Sequence, residues 1–111
     1  MKRTPRNADY TKNYNRNLVL RLLRHRQMSR ADLAAASGLT RASVSLIVEE
    51  LQRQGGVEEL APTATKRGRT PLPLAIRGGV YCAVGVYLNR SGCQMGVVDL
   101  NGTLLEKRPC E

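Results

Sequence analysis

The 111-residue sequence predicts an α+β chain in which three helices are followed by five short strands. Two observations predict the helices: apolar residues recur at helical spacing as far as residue 54, and residues that favour helix caps stand at the boundaries. A third observation predicts the strands, because β-prone runs after Gly55-Gly56 are separated by a further glycine pair and by polar turn sequences. The change of pattern near residue 78 indicates two different modules.

The helices are predicted at residues 13–26, 30–37 and 40–54. Ser29 and Thr40 are favoured N-cap residues, and Gly38 stands where a helix C-cap favours glycine. Residues 1–12 are polar and basic, and we expect them to form a flexible tail. Apolar stripes are predicted on the first helix (Tyr14, Leu18 and Leu22, with Val19 and Leu23) and on the third (Val44, Ile47, Val48 and Leu51).

Two short strands, at residues 57–60 and 72–76, flank a polar loop and predict a wing, with Pro73 suited to a sheet edge. Three further strands are predicted at 80–88, 93–100 and 103–107, where Asn101-Gly102 is a strong hairpin signal. Three strands alone, without central parallel strands and covering helices, do not complete a layered α/β domain. We therefore expect residues 80–111 to be splayed, packed on the helices, or paired with another copy through an exposed edge.

The second and third helices have the spacing of a helix-turn-helix. Counted from Arg30, apolar residues are needed at positions 4, 10, 15 and 18, a small residue at 5 and glycine at 9. A small residue lets the helices approach closely, and glycine takes the left-handed turn conformation between them. All six requirements are met, by Leu33, Ala34, Gly38, Leu39, Val44 and Ile47.

The charge of the chain lies almost entirely in this first module. The net charge is +9, and residues 1–79 carry 15 Lys and Arg against 6 Asp and Glu, whereas residues 80–111 carry 3 of each. A basic module beside a neutral one suggests a polyanion-binding head, and the alternative is a solvated basic face without a partner. No apolar run approaches about 20 residues, so neither a membrane span nor a secretory signal is expected.

The third helix is then expected to enter the major groove of DNA with its N-terminal residues facing the bases. Arg41 can bond the O6 and N7 atoms of guanine, while Ala42 or Leu46 can contact a thymine methyl group. An alternative for Arg41 is a phosphate contact without specificity, and an alternative for the motif is binding to protein. The candidate DNA-binding residues of the helices are Ser29, Arg30, Thr40, Arg41, Ala42, Ser43 and Ser45.

The loop of the wing supplies a second candidate DNA contact. Lys66-Arg67-Gly68-Arg69 resembles the core of an AT-hook, in which Arg-Gly-Arg lies along a narrow minor groove. Glycine allows the backbone to approach the groove closely, and the arginines occupy its negative potential. The alternative is an ordinary basic loop.

Cysteine and histidine offer little chemistry in this sequence. The three cysteines, Cys82, Cys93 and Cys110, lack CxxC spacing, so no disulfide framework is expected, and Cys82 and Cys93 are predicted to be small buried residues. His25 is the single histidine and is expected at an exposed helix end. Neither a catalytic triad nor a metal site is expected, and no cofactor is predicted.

The sequence resembles the ROK (repressor, ORF, kinase) family. The resemblance lies in Asn15-Arg16, Val19-Leu20 and Leu23-Arg24, in Ser29 to Ala34, in Gly38-Leu39-Thr40, Val44-Ser45 and Glu50-Leu51, in Gly68-Arg69 with Pro71, and in Val84-Gly85-Val86 with Val97 to Gly102. It implies a winged helix-turn-helix DNA-binding domain at 13–77 and, at 78–111, the truncated first strands of an actin-like (ribonuclease H-like) effector domain. Gly56 departs from the family, which often has leucine there.

The resemblance implies a cytoplasmic, nucleoid-associated transcriptional repressor of carbohydrate-metabolism genes that binds an operator as a homodimer in its full-length context. A sugar effector would act only through a C-terminal region that this chain lacks. The phosphate-binding DxGGT turn of ROK kinases is replaced by residues that include Tyr87, Asn89 and Arg90, so enzymatic activity is not expected. Alternatives are a non-specific nucleic-acid-binding basic domain and the remnant of a ROK sugar kinase.

Overall fold

A computed structural model of the chain describes residues 8–62 and 71–110. The helices are α1 (Ala8–His25), α2 (Arg30–Ser37) and α3 (Arg41–Arg53). The strands are β1 (Val57–Glu59), β2 (Leu74–Ile76), β3 (Cys82–Asn89), β4 (Gly92–Asp99) and β5 (Leu104–Pro109). The predicted α+β fold class is confirmed, with three helices and β1–β2 in one module and β3–β4–β5 in a separate antiparallel sheet.

The helix α1 begins earlier than the sequence predicts. Residues 8–12 belong to it, so the expectation of a flexible tail is wrong for that stretch, and residues 1–7 lie outside the described part of the chain. Asp9 lies in the first turn, where a carboxylate is favourable to the helix dipole. The Nζ atom of Lys12 lies 3.3 Å from a carboxylate oxygen of Glu50 on α3, so the extra turn is also tied to the neighbouring helix.

The turn between α2 and α3 has the geometry that the motif predicts. Ser29 and Asp32 form a reciprocal capping box at the start of α2, and Gly38 ends the helix at a φ of 78°, in the left-handed region. The chain bends by 120° from α2 to α3. Leu33 is completely buried beneath this turn, so the two helices are held at a fixed angle by one shared core.

That core is aliphatic apart from Met28. Its buried side chains are Val19, Leu23, Met28, Leu33, Val44, Ile47, Val48, Leu51, Val57, Leu74 and Ile76. The predicted stripe of α3 is confirmed at all four positions. On α1 the prediction is partly wrong, because Val19 and Leu23 are buried whereas Tyr14 is 62% exposed.

The wing strands β1 and β2 pair antiparallel, with Val57 opposite Ile76. Pro73 lies just before β2, and its carbonyl accepts a hydrogen bond from the N–H of Leu60 at 2.8 Å. Met28, in the α1–α2 connection, exchanges two backbone hydrogen bonds with Leu74 on the other side of β2. The base of the wing is therefore fastened to the helices through backbone as well as side chains. The loop at 63–70 lies outside the described residues.

The sheet β3–β4–β5 stands largely open to solvent. Strand β3 is exposed along its whole length, so the prediction that Cys82 is buried is wrong. Cys93 and Cys110 form a disulfide with Cα atoms 5.0 Å apart, which also corrects the expectations of no disulfide and of a free buried Cys93. The physical reason is the register, which places Gln94 opposite Pro109 and so brings the adjacent cysteines face to face.

Residues beside the strand ends, and not the strands themselves, contact the helical core, so the arrangement lies between the splayed and the packed ones that the sequence left open. Tyr81 and Leu100 are partly buried against the aliphatic core. Among the described residues, no single helix is long and apolar enough to cross a membrane, and α2 with α3 would pass such a test only as a bent pair.

Asp99 closes the turn between β4 and β5 and ties it to the linker before β3. Its carboxylate accepts hydrogen bonds from the N–H groups of Thr103 at 2.9 Å, Asn101 at 3.0 Å and Gly79 at 3.0 Å. The backbone hydrogen bond from Thr103, together with those from Gly79 and Asn101, holds the pKa of Asp99 below its ordinary value, against the opposing effect of burial.

We expect this turn to lose stability in acid. Because the pKa of Asp99 is lower in the folded chain, its contribution is fully present above the unfolded value of about 3.9 and is lost as the pH falls through the folded pKa. The amide resonances of Gly79, Asn101 and Thr103 should shift together in an NMR titration. Asp99→Asn should abolish that common transition, whereas Asp9→Asn, the same substitution on α1, should leave it in place. Unchanged amide shifts below pH 4 would contradict the assignment.

Candidate nucleic-acid interface

The outer face of α3 is free because its inner face is fully used. Val44, Ile47, Val48 and Leu51 are buried, so the remaining positions of the first two turns point away from the core. Arg41, Ala42 and Ser45 are exposed there, and Leu46 is 69% exposed. The structure thus presents three of the predicted DNA-binding residues on one accessible surface.

Three parts of the first module border a common groove of about 730 Å³. Arg41 and Ser45 contribute one wall from α3, and the start of α2 contributes a second. Pro71 and Leu72, where the chain returns from the wing loop, contribute a third. The structure therefore brings the start of α3, the N-terminus of α2 and the base of the wing together, as the sequence predicts. The complete lining is Ser29, Arg30, Ala31, Asp32, Arg41, Ser45, Pro71 and Leu72.

Ser29 is held by the fold. Its hydroxyl accepts a hydrogen bond from the N–H of Asp32 at 3.1 Å, its own N–H donates to the Asp32 carboxylate at 3.1 Å, and the residue is only 8% exposed. Its side chain thus satisfies the helix terminus.

Thr40 and Ser43 are engaged with each other in the same way. The Thr40 hydroxyl accepts from the N–H of Ser43 at 3.1 Å and donates to the Ser43 hydroxyl at 3.0 Å. Unlike Ser29, Thr40 is exposed, so its hydroxyl caps α3 at the surface.

Arg30 joins three elements. Its guanidinium donates to the carboxylate of Glu59 on β1 and, at 3.4 Å, to the side-chain carbonyl of Gln52 on α3. Because Arg30 itself begins α2, this one side chain links α2, the wing and α3. The sequence pattern does not predict these contacts, because Gln52 and Glu59 lie 22 and 29 positions after Arg30.

Arg41 differs from Arg30 in its surroundings. Within residues 8–62 and 71–110, the ion pairs join Lys12 and Arg16 to Glu50, Arg30 to Glu59, Arg77 to Glu58 and Arg108 to Glu106, and none involves Arg41. Four carboxylates of the chain are thereby paired with cations other than Arg41. Asp32 also borders the groove, but its carboxylate accepts from the Ser29 N–H at the α2 terminus. The guanidinium of Arg41 is left to point into solvent.

The second basic candidate lies outside the described residues. Lys66, Arg67, Gly68 and Arg69 all fall within 63–70, so their structure adds nothing to the prediction made from sequence. Pro71, directly after this segment, is exposed and borders the groove beside Arg41.

The segment aligned with a kinase phosphate loop forms a tight hairpin. Residues 90–91 connect β3 to β4, and the side-chain oxygen of Asn89 accepts a hydrogen bond from the N–H of Ser91 at 2.8 Å. That N–H is thereby used within the turn, whereas a phosphate cradle needs free backbone donors. Over the described ranges, no group of three or more His, Cys, Asp or Glu side chains is placed to hold a metal ion.

Comparison with known proteins gives relatives that are all much longer than this chain. No protein-family model matches it. The DNA-binding transcriptional dual regulator NagC of Escherichia coli K12 is 30% identical over 100 residues, which cover 89% of this chain and 25% of that protein. The N-acetylglucosamine repressor of Shigella flexneri matches with the same identity and coverage. The chain thus spans about a quarter of the length of the curated relatives it matches.

A solved structure is similar along nearly the whole chain. It is the crystal structure of a ROK family transcriptional regulator, a homolog of the E. coli MLC protein, and it superposes with a TM-score of 0.69 at 25% identity. The match covers 93% of this chain and 26% of that one. The similarity therefore includes the sheet β3–β4–β5 as well as the three helices.

The cap at Thr40 gives a stability prediction for the site. Thr40→Ala should destabilise the chain by about 1 kcal/mol, because the N–H of Ser43 loses its acceptor at the start of α3. Ser45→Ala, an exposed change on the same helix, should stay within about 0.5 kcal/mol of the wild type. Urea unfolding followed by circular dichroism compares the two variants, and equal losses of stability would contradict the capping role.

Proposed function

The chain belongs to the ROK family of transcriptional regulators, and we propose that it is the sequence-specific DNA-binding head of a repressor of carbohydrate-metabolism genes. One observation carries the proposal: Arg41 stands exposed and outside any ion pair of the described residues, at the start of a helix whose opposite face is buried. We assign residues 13–77 to the DNA-binding domain and 78–111 to the first strands of an effector domain.

Base reading is assigned to the first two turns of α3. With this helix in the major groove, the Arg41 guanidinium donates to the O6 and N7 atoms of a guanine. Ala42 presents a methyl group to thymine, and the hydroxyl of Ser45 bonds a base edge or a phosphate. These three side chains are exposed and share one helix end, which supports a common role.

The remaining predicted residues of the helices are assigned to positioning and to phosphate contacts rather than to base reading. Thr40 and Ser43 have hydroxyl groups at the start of α3, where short contacts to phosphate are favourable, while the buried Ser29 holds the start of α2. Arg30 is bonded to Glu59 and Gln52, which supports a role in setting the wing against α3. We therefore assign phosphate contacts and positioning to these four residues.

The wing is assigned to the minor groove. Lys66, Arg67, Gly68 and Arg69 form a basic segment whose following residues border the same groove as Arg41. A duplex lying along α3 would pass Pro71, which follows this segment in the sequence, and we assign the two arginines to a narrow A·T-rich minor groove.

The wider biology rests on the relatives. The Shigella flexneri relative is named an N-acetylglucosamine repressor, and this name supports a carbohydrate operon as the target. One head reads a half-site of a few base pairs, so a palindromic operator requires two heads, supplied by a homodimer of the longer protein. A sugar effector would bind outside this region. The protein would act in the cytoplasm, at the nucleoid.

Two other functions are weighed against this one. A domain that coats single strands non-specifically uses stacking aromatics, whereas the aromatic residues of this chain are four tyrosines, without Phe or Trp. The remnant of a sugar kinase is disfavoured by the tight hairpin at 89–92. Equal affinity for an operator and for random duplex at about 0.15 M salt would favour the non-specific alternative.

Arg41→Ala tests the base contact directly. Loss of a bidentate arginine–guanine pair should weaken operator binding by about 1–3 kcal/mol, which is roughly 5–150-fold, and should relax selection at one base position. The matched control is Arg53→Ala, which removes the same charge from the exposed C-terminal end of the same helix. Binding selection from a randomised duplex library measures both properties. Equal losses in the two variants would show that Arg41 contributes charge alone.

Substitution of the wing arginines should have a different signature. Arg67→Ala or Arg69→Ala should weaken binding chiefly on operators with A·T-rich flanks and should lower the salt dependence of log K by about 1. Fluorescence anisotropy over a salt series, on operators with A·T and G·C flanks, separates the two effects. Loss of affinity that is independent of the flanks would indicate phosphate contacts from an ordinary basic loop.

A further inference from the structure

The side chain of Tyr81 reaches from the start of the sheet to the far end of α3. Its hydroxyl donates to the side-chain carbonyl of Gln54, the C-cap residue of α3, at 2.7 Å. Its ring covers Gly56 so closely that a Cβ atom on Gly56 would overlap the ring carbons and the hydroxyl oxygen. The φ of Gly56 lies outside the left-handed region, so the need for glycine here is one of space rather than of backbone conformation.

Other contacts converge on the same place. Arg24 of α1 donates through Nε to the carbonyl of Leu100 at 3.1 Å, and Asn101 donates through Nδ2 to the carbonyl of Ile76 at 3.1 Å. The N–H of Leu100 donates to the carbonyl of Tyr81 at 3.1 Å, which ties these contacts together. The sheet thus meets α1, the C-terminal end of α3 and the strand β2 at one joint.

Tyr81 and Leu100 are the side chains of this joint that pack against the core of the head, and Tyr81 is the one that reaches α3. Burial raises its pKa, with Glu50 acting in the same direction and the Arg16 charge acting against them. Its hydroxyl therefore remains protonated and able to donate at neutral pH. Arg24 and Asn101 contribute hydrogen bonds to backbone carbonyls, whereas the Tyr81 ring fills the space that Gly56 leaves open.

We propose that Tyr81 is a positioning residue whose ring, seated on Gly56, locks the sheet β3–β4–β5 to the head so that both hold one orientation. The relevance to DNA binding rests on the proposed function. The joint acts at the opposite end of α3 from Arg41, about 18 Å away along a helix of 13 residues. A rotation of the sheet would be transmitted along α3 to the end that carries Arg41, without any contact between the sheet and DNA.

The orientation of the two parts can be measured on the 111-residue chain by NMR residual dipolar couplings. In the wild type, one alignment tensor should fit the amides of the head and those of the sheet. Tyr81→Ala should require two tensors, with weaker alignment of the sheet, while the chemical shifts of α2 and of residues 41–46 stay unchanged. Tyr87→Ala is the matched control, since Tyr87 is 65% exposed on β3, the strand that Tyr81 directly precedes, and lies away from the joint.

Two further variants separate the joint from a general loss of stability. Gly56→Ala should produce the two-tensor behaviour with Tyr81 intact, and it should cost less stability in the Tyr81→Ala background, because the overlap is then absent. Tyr81→Phe keeps the ring and loses only the hydrogen bond to Gln54, so it should restore the single tensor.

Several results would overturn the proposal. A single tensor in Tyr81→Ala or in Gly56→Ala would show that the other contacts hold the sheet without the ring. Two tensors in the wild type would show that no lock exists. The test involves no DNA, so a failure of DNA binding would count against the proposed function alone and leave the joint unaffected.

Discussion

The packing of one face of α3 is the interaction on which the rest of the structure depends. Val44, Val48 and Leu51 are completely buried, with Ile47 nearly so, and the core they enter contains no aromatic side chain. Burial of each aliphatic side chain stabilises the fold by about 1.5–3 kcal/mol. Because this face is fully occupied, the rotation of α3 about its axis is fixed. The same constraint decides which residues face the groove and where the helix ends beneath the sheet.

The helix-turn-helix could be predicted from local sequence signals. Other features of the fold could not, because they depend on contacts between distant parts of the chain. Ser29, Gly38 and Thr40 act within three or four residues of their partners, so their types alone locate the boundaries of α2 and α3. The Met28–Leu74 bridge and the Cys93–Cys110 disulfide depend on strand register and on chain segments that are far apart. The early start of α1 depends in part on Glu50 of another helix. None of these has a pattern in the residues that surround it.

In the candidate site, too, some features could be predicted from the sequence and others depend on the fold. By residue type and helical position, four residues are equally good candidates for DNA contact, because each is polar or basic and lies near a helix start. They are Ser29, Arg30, Thr40 and Arg41. The structure separates them by their partners: Ser29 and Thr40 cap helices, and Arg30 bonds Glu59 and Gln52. Arg41 is distinguished by the lack of an ion pair among the described residues. Whether a side chain is free of protein partners depends on the folded chain. The sequence could therefore identify the candidate surface but could not distinguish the roles of its residues.

Gly56 shows how a departure from a family pattern can be read physically. Leucine at this position would fill the space locally, whereas glycine leaves it open for a ring from another module. The ring of Tyr81 therefore replaces a contact within the head with a contact between head and sheet. Because α3 is fixed in the head by its buried face, a sheet locked to its C-terminal end would keep one orientation relative to Arg41 at its N-terminal end. One rigid helix, with the proposed base-reading residues at one end and the Tyr81 contact at the other, thereby connects the two modules of the chain.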